Sequence, residues 1–161
     1  MALYQSSITT VRVFSAPPST TVGVYEVEHQ GLEEVSVGDS VSKESNVAAS
    51  AGSLCKLEAD AAYTDHMIFG IHVPEAGTYD VEVSYKTAPD AGVFRLFISG
   101  NGVGDPVDCY SPTESIVTSM VVQSQIFTAA GVKNFKFRSL PKNANSSGLN
   151  LYIDSVRLIK Q

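Results

Sequence analysis

The stretch Gly77-Thr78-Tyr79-Asp80-Val81-Glu82-Val83-Ser84-Tyr85-Lys86 alternates apolar and polar side chains. That is the two-residue period of a half-buried strand: Tyr79, Val81, Val83 and Tyr85 face one way, and Asp80, Glu82 and Ser84 the other. Residues 66–73 behave likewise, with Met67, Phe69, Ile71 and Val73 as the inward set. Between the two, Pro74-Glu75-Ala76-Gly77 carries the turn chemistry that joins one strand to the next.

Outward from this pair, further strands are predicted over residues 9–14, 22–28, 54–59, 93–99, 119–128, 132–140 and 149–159, most of them punctuated by Gly, Pro, Asn or Ser clusters. No ten-residue window carries a helical apolar stripe, and the sequence has no internal repeat. Strands at short spacing with turn signals between them predict an all-β fold, a jelly-roll β-sandwich of two antiparallel sheets. With 161 residues, 43% of them apolar and 17% charged, the chain is expected to form one such module over residues 1–161. Ala16-Pro17-Pro18-Ser19 leaves two readings for residues 1–21, a linker or an extra strand after a bend.

A formal charge of −6 opposes the phosphate neutralisation that nucleic acid or an anionic membrane surface demands, so neither is an expected partner. No apolar run approaches the roughly 20 residues that span a bilayer, and residues 1–10 lack the basic and apolar blocks of a signal peptide. The chain as given is expected to be soluble. Cys55 and Cys109 fit either a disulfide formed in an oxidising compartment or two small buried apolar residues.

The inventory for catalysis is thin. His29, His66 and His72 fall in strand-like contexts, no Gly-x-Ser-x-Gly elbow occurs, and neither cysteine has helix-terminus surroundings. His66 and His72 share a strand face but stand about 20 Å apart along an extended chain, too far to chelate one ion. Phe94 to Tyr110 reads as a strand, a glycine-rich β-turn at Asn101-Gly102 and an extended return, in which Asp105 and Asp108 are turn aspartates. A non-enzyme is expected.

Glu26 and Glu28, two apart, would lie on one face of a strand and repel unless water or a cation intervenes; calcium, which takes six to eight oxygens, suits them. Asp154 interrupts an apolar strand where the phase changes from Leu149, Leu151 and Ile153 to Val156 and Leu158. It is read either as a β-bulge or as a buried carboxylate that needs a metal, a lysine or backbone N–H groups. Sugar binding asks for a flat aromatic surface flanked by amides and charges. Three loops each offer an aromatic or a hydrogen-bonding set: residues 62–65 with Tyr63 and Asp65, residues 109–112 with Tyr110, and residues 140–147 with Lys142, Asn143 and Asn145.

Together, Tyr25-Glu26-Val27-Glu28, Val73 to Val81, the Gly102 to Tyr110 turn and Leu151 to Leu158, in that order, resemble the accessory β-sandwich modules of carbohydrate-binding families 6 and 35. The likeness covers residues 22–161. It implies a non-catalytic module that targets a parent secreted glycosidase or polysaccharide lyase to its polysaccharide, or else a spacer sandwich without a working sugar site. It implies structural calcium on Glu26, Glu28 and Asp154, and ligand contacts from Tyr63, Tyr110 and one of Asn143, Asn145 and Asn150. Tyr110 stands where such modules commonly carry tryptophan, a residue this chain lacks, and Tyr152 stands where they often carry asparagine. Asp65, Lys142 and Asn143 are the expected readers of hydroxyls or charges.

Overall fold

The computed structural model describes residues 23–161; the predicted strand over 9–14 and the linker at 16–19 lie outside them. The described chain is built of eleven strands and one short 3₁₀ turn: β1 (Val24–Glu26), the turn Val27–His29, β2 (Gly31–Val35), β3 (Ser40–Ser45), β4 (Ser53–Glu58), β5 (His66–Val73), β6 (Gly77–Thr87), β7 (Val93–Ile98), β8 (Asn101–Asp108), β9 (Ser115–Phe127), β10 (Gly131–Leu140) and β11 (Leu151–Lys160). They form two antiparallel sheets. One runs β3-β4-β11-β6-β9, with β1 also paired to β11, and the other runs β2-β5-β10-β7-β8.

The alternation that predicted β5 and β6 sets the core. Met67, Phe69, Ile71 and Val73 from one sheet and Val81 and Val83 from the other are fully buried, with Tyr79 and Tyr85 nearly so. Phe94 and Phe137 meet edge to face at 5.5 Å between centroids, and Tyr85 reaches Phe94 across the two sheets in the same manner. Inward residues of both sheets thereby fill the interlayer space of a sandwich.

Two strands escaped the sequence reading. β2 is broken by a bulge between Leu32 and Glu34, which destroys its alternation, and β3 is a polar edge strand whose only apolar residue is Val41. The predicted turn at Asn101-Gly102 is displaced: Ser99 and Gly100 take φ of 48° and 86°, and Asn101 already pairs with Ile98. Positive φ at both central residues matches the twist of the flanking strands, so the pair makes the tighter hairpin.

Cys55 and Cys109 are both free and fully buried, so the disulfide alternative is corrected. Burial pushes the Cys55 thiol up to about 12 and the Cys109 thiol higher still. Intact-mass measurement under non-reducing conditions is expected to find two thiols that resist alkylation until the protein is denatured. Loss of two hydrogens, the signature of a bridge, would contradict this placement.

Candidate functional site

The acidic cluster arises from how β11 is shared. β4 pairs with Leu151–Ile153 and β1 with Ser155–Arg157, both along the same edge, which leaves Asp154 at the notch between them. The pairing of β11 with β6 shifts register at the same place. The two sequence readings of Asp154 are therefore one feature, a bulge that turns a carboxylate into a gap.

Glu26 and Glu28 reach that gap by a route the sequence did not show. The predicted strand over 22–28 ends at Glu26, and the 3₁₀ turn Val27–His29 swings Glu28 inward instead of leaving both acids on one strand face. Carboxylate oxygens of Glu26, Glu28 and Asp154 lie within 4.8 Å of one another, all three buried. The loop between β3 and β4, tightened by Gly52 at φ 76°, brings Ser50 over them. Its N–H donates to Asp154 Oδ1 at 3.1 Å, and its hydroxyl reaches Asp154 and Glu26. Ser53 Oγ donates to Glu28 Oε1 at 3.1 Å, while Glu28 Oε2 is buried without a partner. Burial raises the Glu28 pKa and raises that of Asp154 to about 6, with the neighbouring carboxylates adding to both shifts.

No lysine or arginine among the described residues pairs with these acids. Three buried carboxylates with one orphaned oxygen fit a hard divalent cation, for which oxygen donors are the right chemistry. Such an ion would tie β1, the 3₁₀ turn, the β3–β4 loop and β11 together.

The ligand candidates gather at the sandwich end where β10 finishes. Tyr63 takes φ 71° and donates its N–H to Ser139 O at 2.8 Å, leaving its side chain 61% of the residue's surface exposed to solvent. Asp65 holds that unusual backbone rather than facing outward: it is buried and accepts from the N–H groups of Asp60 and Ala61 at 2.8 and 2.6 Å and from Thr64 Oγ1 at 3.0 Å. Burial works to raise its pKa, but those donors outweigh it and hold the carboxyl below the ordinary aspartate value. Asp39 and Asp60 bring their oxygens within 4.8 Å of Asp65, and this second trio includes no buried side-chain oxygen lacking a hydrogen bond.

Asp108 joins the other two loops. It accepts from the N–H of Tyr110 at 2.9 Å and from Asn143 Nδ2 at 2.7 Å, so a residue read as a turn aspartate couples two candidates. Asn143 Oδ1 in turn accepts from the Asn145 N–H at 3.0 Å. Lys142 and Asn145 are exposed, and neither side chain has a hydrogen-bond partner among the described residues. Tyr63–Ser139 and Asn143–Asp108–Tyr110 are two separate hydrogen-bonded groups at the same end of the β2-β5-β10-β7-β8 sheet, and Asp65 acts beneath the first of them.

Asp90 was not singled out in the sequence. It accepts from Asn150 Nδ2 at 2.8 Å and Tyr152 Oη at 2.7 Å, stitching the 88–92 loop to β11. Asn150 thus commits one amide N–H to Asp90, and Tyr152 fills a structural position with its ring beneath Lys86 Nζ at 3.9 Å. Tyr152→Phe is expected to cost about 1–2 kcal/mol in chemical denaturation, because Asp90 loses one of its two strong donors. An unchanged midpoint would show that water replaces the phenol.

No protein-family model and no curated protein matches the sequence. Solved structures do. A xanthan lyase from Paenibacillus superposes at TM-score 0.80 with 26% identity over 91% of this chain, which spans 14% of the lyase. A family 35 carbohydrate-binding module from Clostridium thermocellum superposes at 0.52 with 17% identity, covering 86% of this chain and 99% of the module. A family 36 carbohydrate-binding module in complex with calcium and xylotriose superposes at 0.51 with 19% identity, covering 85% and 99%.

Proposed function

We propose that this chain, which has the β-sandwich fold of carbohydrate-binding modules, is a non-catalytic module that binds a polysaccharide through Tyr63 and Tyr110 and carries a structural calcium on Glu26, Glu28 and Asp154. The observation that carries the reading is that Tyr63, held on Ser139 near the end of β10, and Tyr110 and Asn143, both held on Asp108 at the end of β8, lie at the same end of one sheet, where Leu140, Val93 and Asp108 pair in one row. Two phenol rings give apolar faces for pyranose rings, and Lys142, Asn143 and Asn145 offer donors and acceptors to hydroxyls. A concavity lined by Pro74, Tyr79 and Lys160 lies at the opposite end of β5 from the Tyr63 loop.

The module would act as part of a larger secreted protein, holding its glycosidase or lyase domain near the substrate. Similarity to a segment of a xanthan lyase supports a polysaccharide-active parent. Calorimetric titration against a broad panel of polysaccharides is the test. Binding to at least one neutral polymer, weakened at least tenfold in a Tyr63→Ala/Tyr110→Ala double variant, is expected. No heat with any polymer would overturn this reading and favour a spacer sandwich.

A further inference from the structure

The outer face of the β2-β5-β10-β7-β8 sheet carries a feature that the aromatic loops do not use. Register places Arg138 of β10 directly opposite Arg95 of β7 on one side and His66 of β5 on the other, with Lys136 opposite Phe97 in the next outward row. Their inward neighbours Phe94, Leu96 and Phe137 are fully buried, so these side chains face away from the core.

Two like charges opposed across a strand pair repel, and here no compensation is present. Among the described residues none of the ion pairs includes Arg95, Lys136 or Arg138, in a protein whose formal charge is −6. Among the described residues the neighbouring acids form no ion pair with them. Glu34 is bonded to His66 Nε2 at 2.8 Å, Asp108 holds Asn143 and Tyr110, and Asp105 lines the groove between β8 and β9.

The guanidiniums are also held in place. Arg138 Cζ lies 4.2 Å and Arg95 Cζ 5.9 Å from the centroid of the same Phe97 ring. Gly102 packs so closely that a Cβ there would come within 3.3 Å of Arg95 Nε and Cζ. Neither Nε atom has a hydrogen-bond partner, so no acceptor among the described residues engages either guanidinium through it.

From this we infer that Arg95 and Arg138 form a carboxylate-binding site, with Lys136 beside it, that takes the uronic-acid residues of an acidic polysaccharide. Planar guanidinium forks match a carboxylate in two parallel hydrogen bonds. The net negative charge repels a dense polyanion such as nucleic acid and leaves sparse carboxylates as the fitting partner. The site continues the loop surface, because Arg138 precedes Ser139, whose carbonyl anchors Tyr63. That the partner is a glycan rests on the proposed function; that it carries carboxylates rests on the arginine pair alone.

The test is titration of the intact chain with polygalacturonate, alginate, hyaluronan and xanthan, each before and after carboxyl reduction, with dextran sulfate as the alternative anion. At least one native polymer should bind at least tenfold more tightly than its reduced form. Arg95→Gln and Arg138→Gln should each remove about tenfold of that affinity. Both should leave binding of the neutral polymer unchanged and still unfold in one cooperative thermal transition, and Lys136→Gln should give a smaller loss of affinity. Equal affinity for native and reduced polymers, no affinity for any of the four, glutamine variants that bind as the parent does, or a preference for dextran sulfate would each overturn the inference. These outcomes leave the loop site untouched, whose own failure is read from neutral polymers and the tyrosine variants.

Discussion

Stripping calcium with excess chelator is expected to lower the thermal midpoint by about 10 °C at neutral pH. An ion bound only by the folded state at a hundred times its dissociation constant stabilises that state by about 2.7 kcal/mol, and a domain of this size shifts roughly 3–4 °C per kcal/mol. The carboxylates of Glu26, Glu28 and Asp154 are buried together, so without a cation their mutual repulsion and desolvation oppose folding. Glu28→Gln should abolish most of the calcium response.

The pH dependence carries the opposite sign in the two forms. Burial raises the Asp154 pKa to about 6 in the folded chain, above the roughly 4 of an exposed aspartate, so the folded state holds this proton more tightly than the unfolded state. The metal-free protein should therefore lose stability as pH rises through the window from about 4 to about 6. The calcium-loaded protein should behave in reverse, since the ligands must be deprotonated, and its increment should shrink as pH falls below about 6. Scanning calorimetry at pH 5 and 7, with calcium and with chelator, separates the two curves. A midpoint indifferent to chelator at both pH values would remove calcium from the account.

What could be read in the sequence follows the range of the interactions. β5 and β6 were legible because alternation is local and their inward residues are the core itself. Asp154 was legible because a phase change marks a bulge within its own strand. Glu28 does lie beside Glu26 and Asp154, but through a different geometry, since nothing in Tyr25-Glu26-Val27-Glu28 distinguishes a continued strand from a 3₁₀ turn. Asp108 and Asp90 were hidden because their meaning lies in partners 35 and 62 positions away. Asp65 shows the converse: proximity to Tyr63 suggested a sugar contact, yet the nearest unsatisfied groups were the amides of its own loop.

Tyr110→Ala is expected to weaken polysaccharide binding by about ten- to a hundredfold while moving the thermal midpoint by no more than a few degrees. Tyr110 is only half-buried, and its backbone stays tied through the bridge to Ala88 and the bond from its N–H to Asp108. Truncation should therefore remove the stacking face without releasing the loop, which places the loss in affinity rather than stability. Asp108→Ala removes no contact surface of its own but frees both Tyr110 and Asn143, so the ligand must then order two loops as it binds. Its loss should be smaller than that of Tyr110→Ala, with a more unfavourable binding entropy. The double variant should lose less than the sum of the two single losses, because a loop without its aromatic ring gains little from being held. Additive losses would show that Asp108 acts on the ligand by itself, and an unaltered affinity in Tyr110→Ala would move the sugar surface away from this loop.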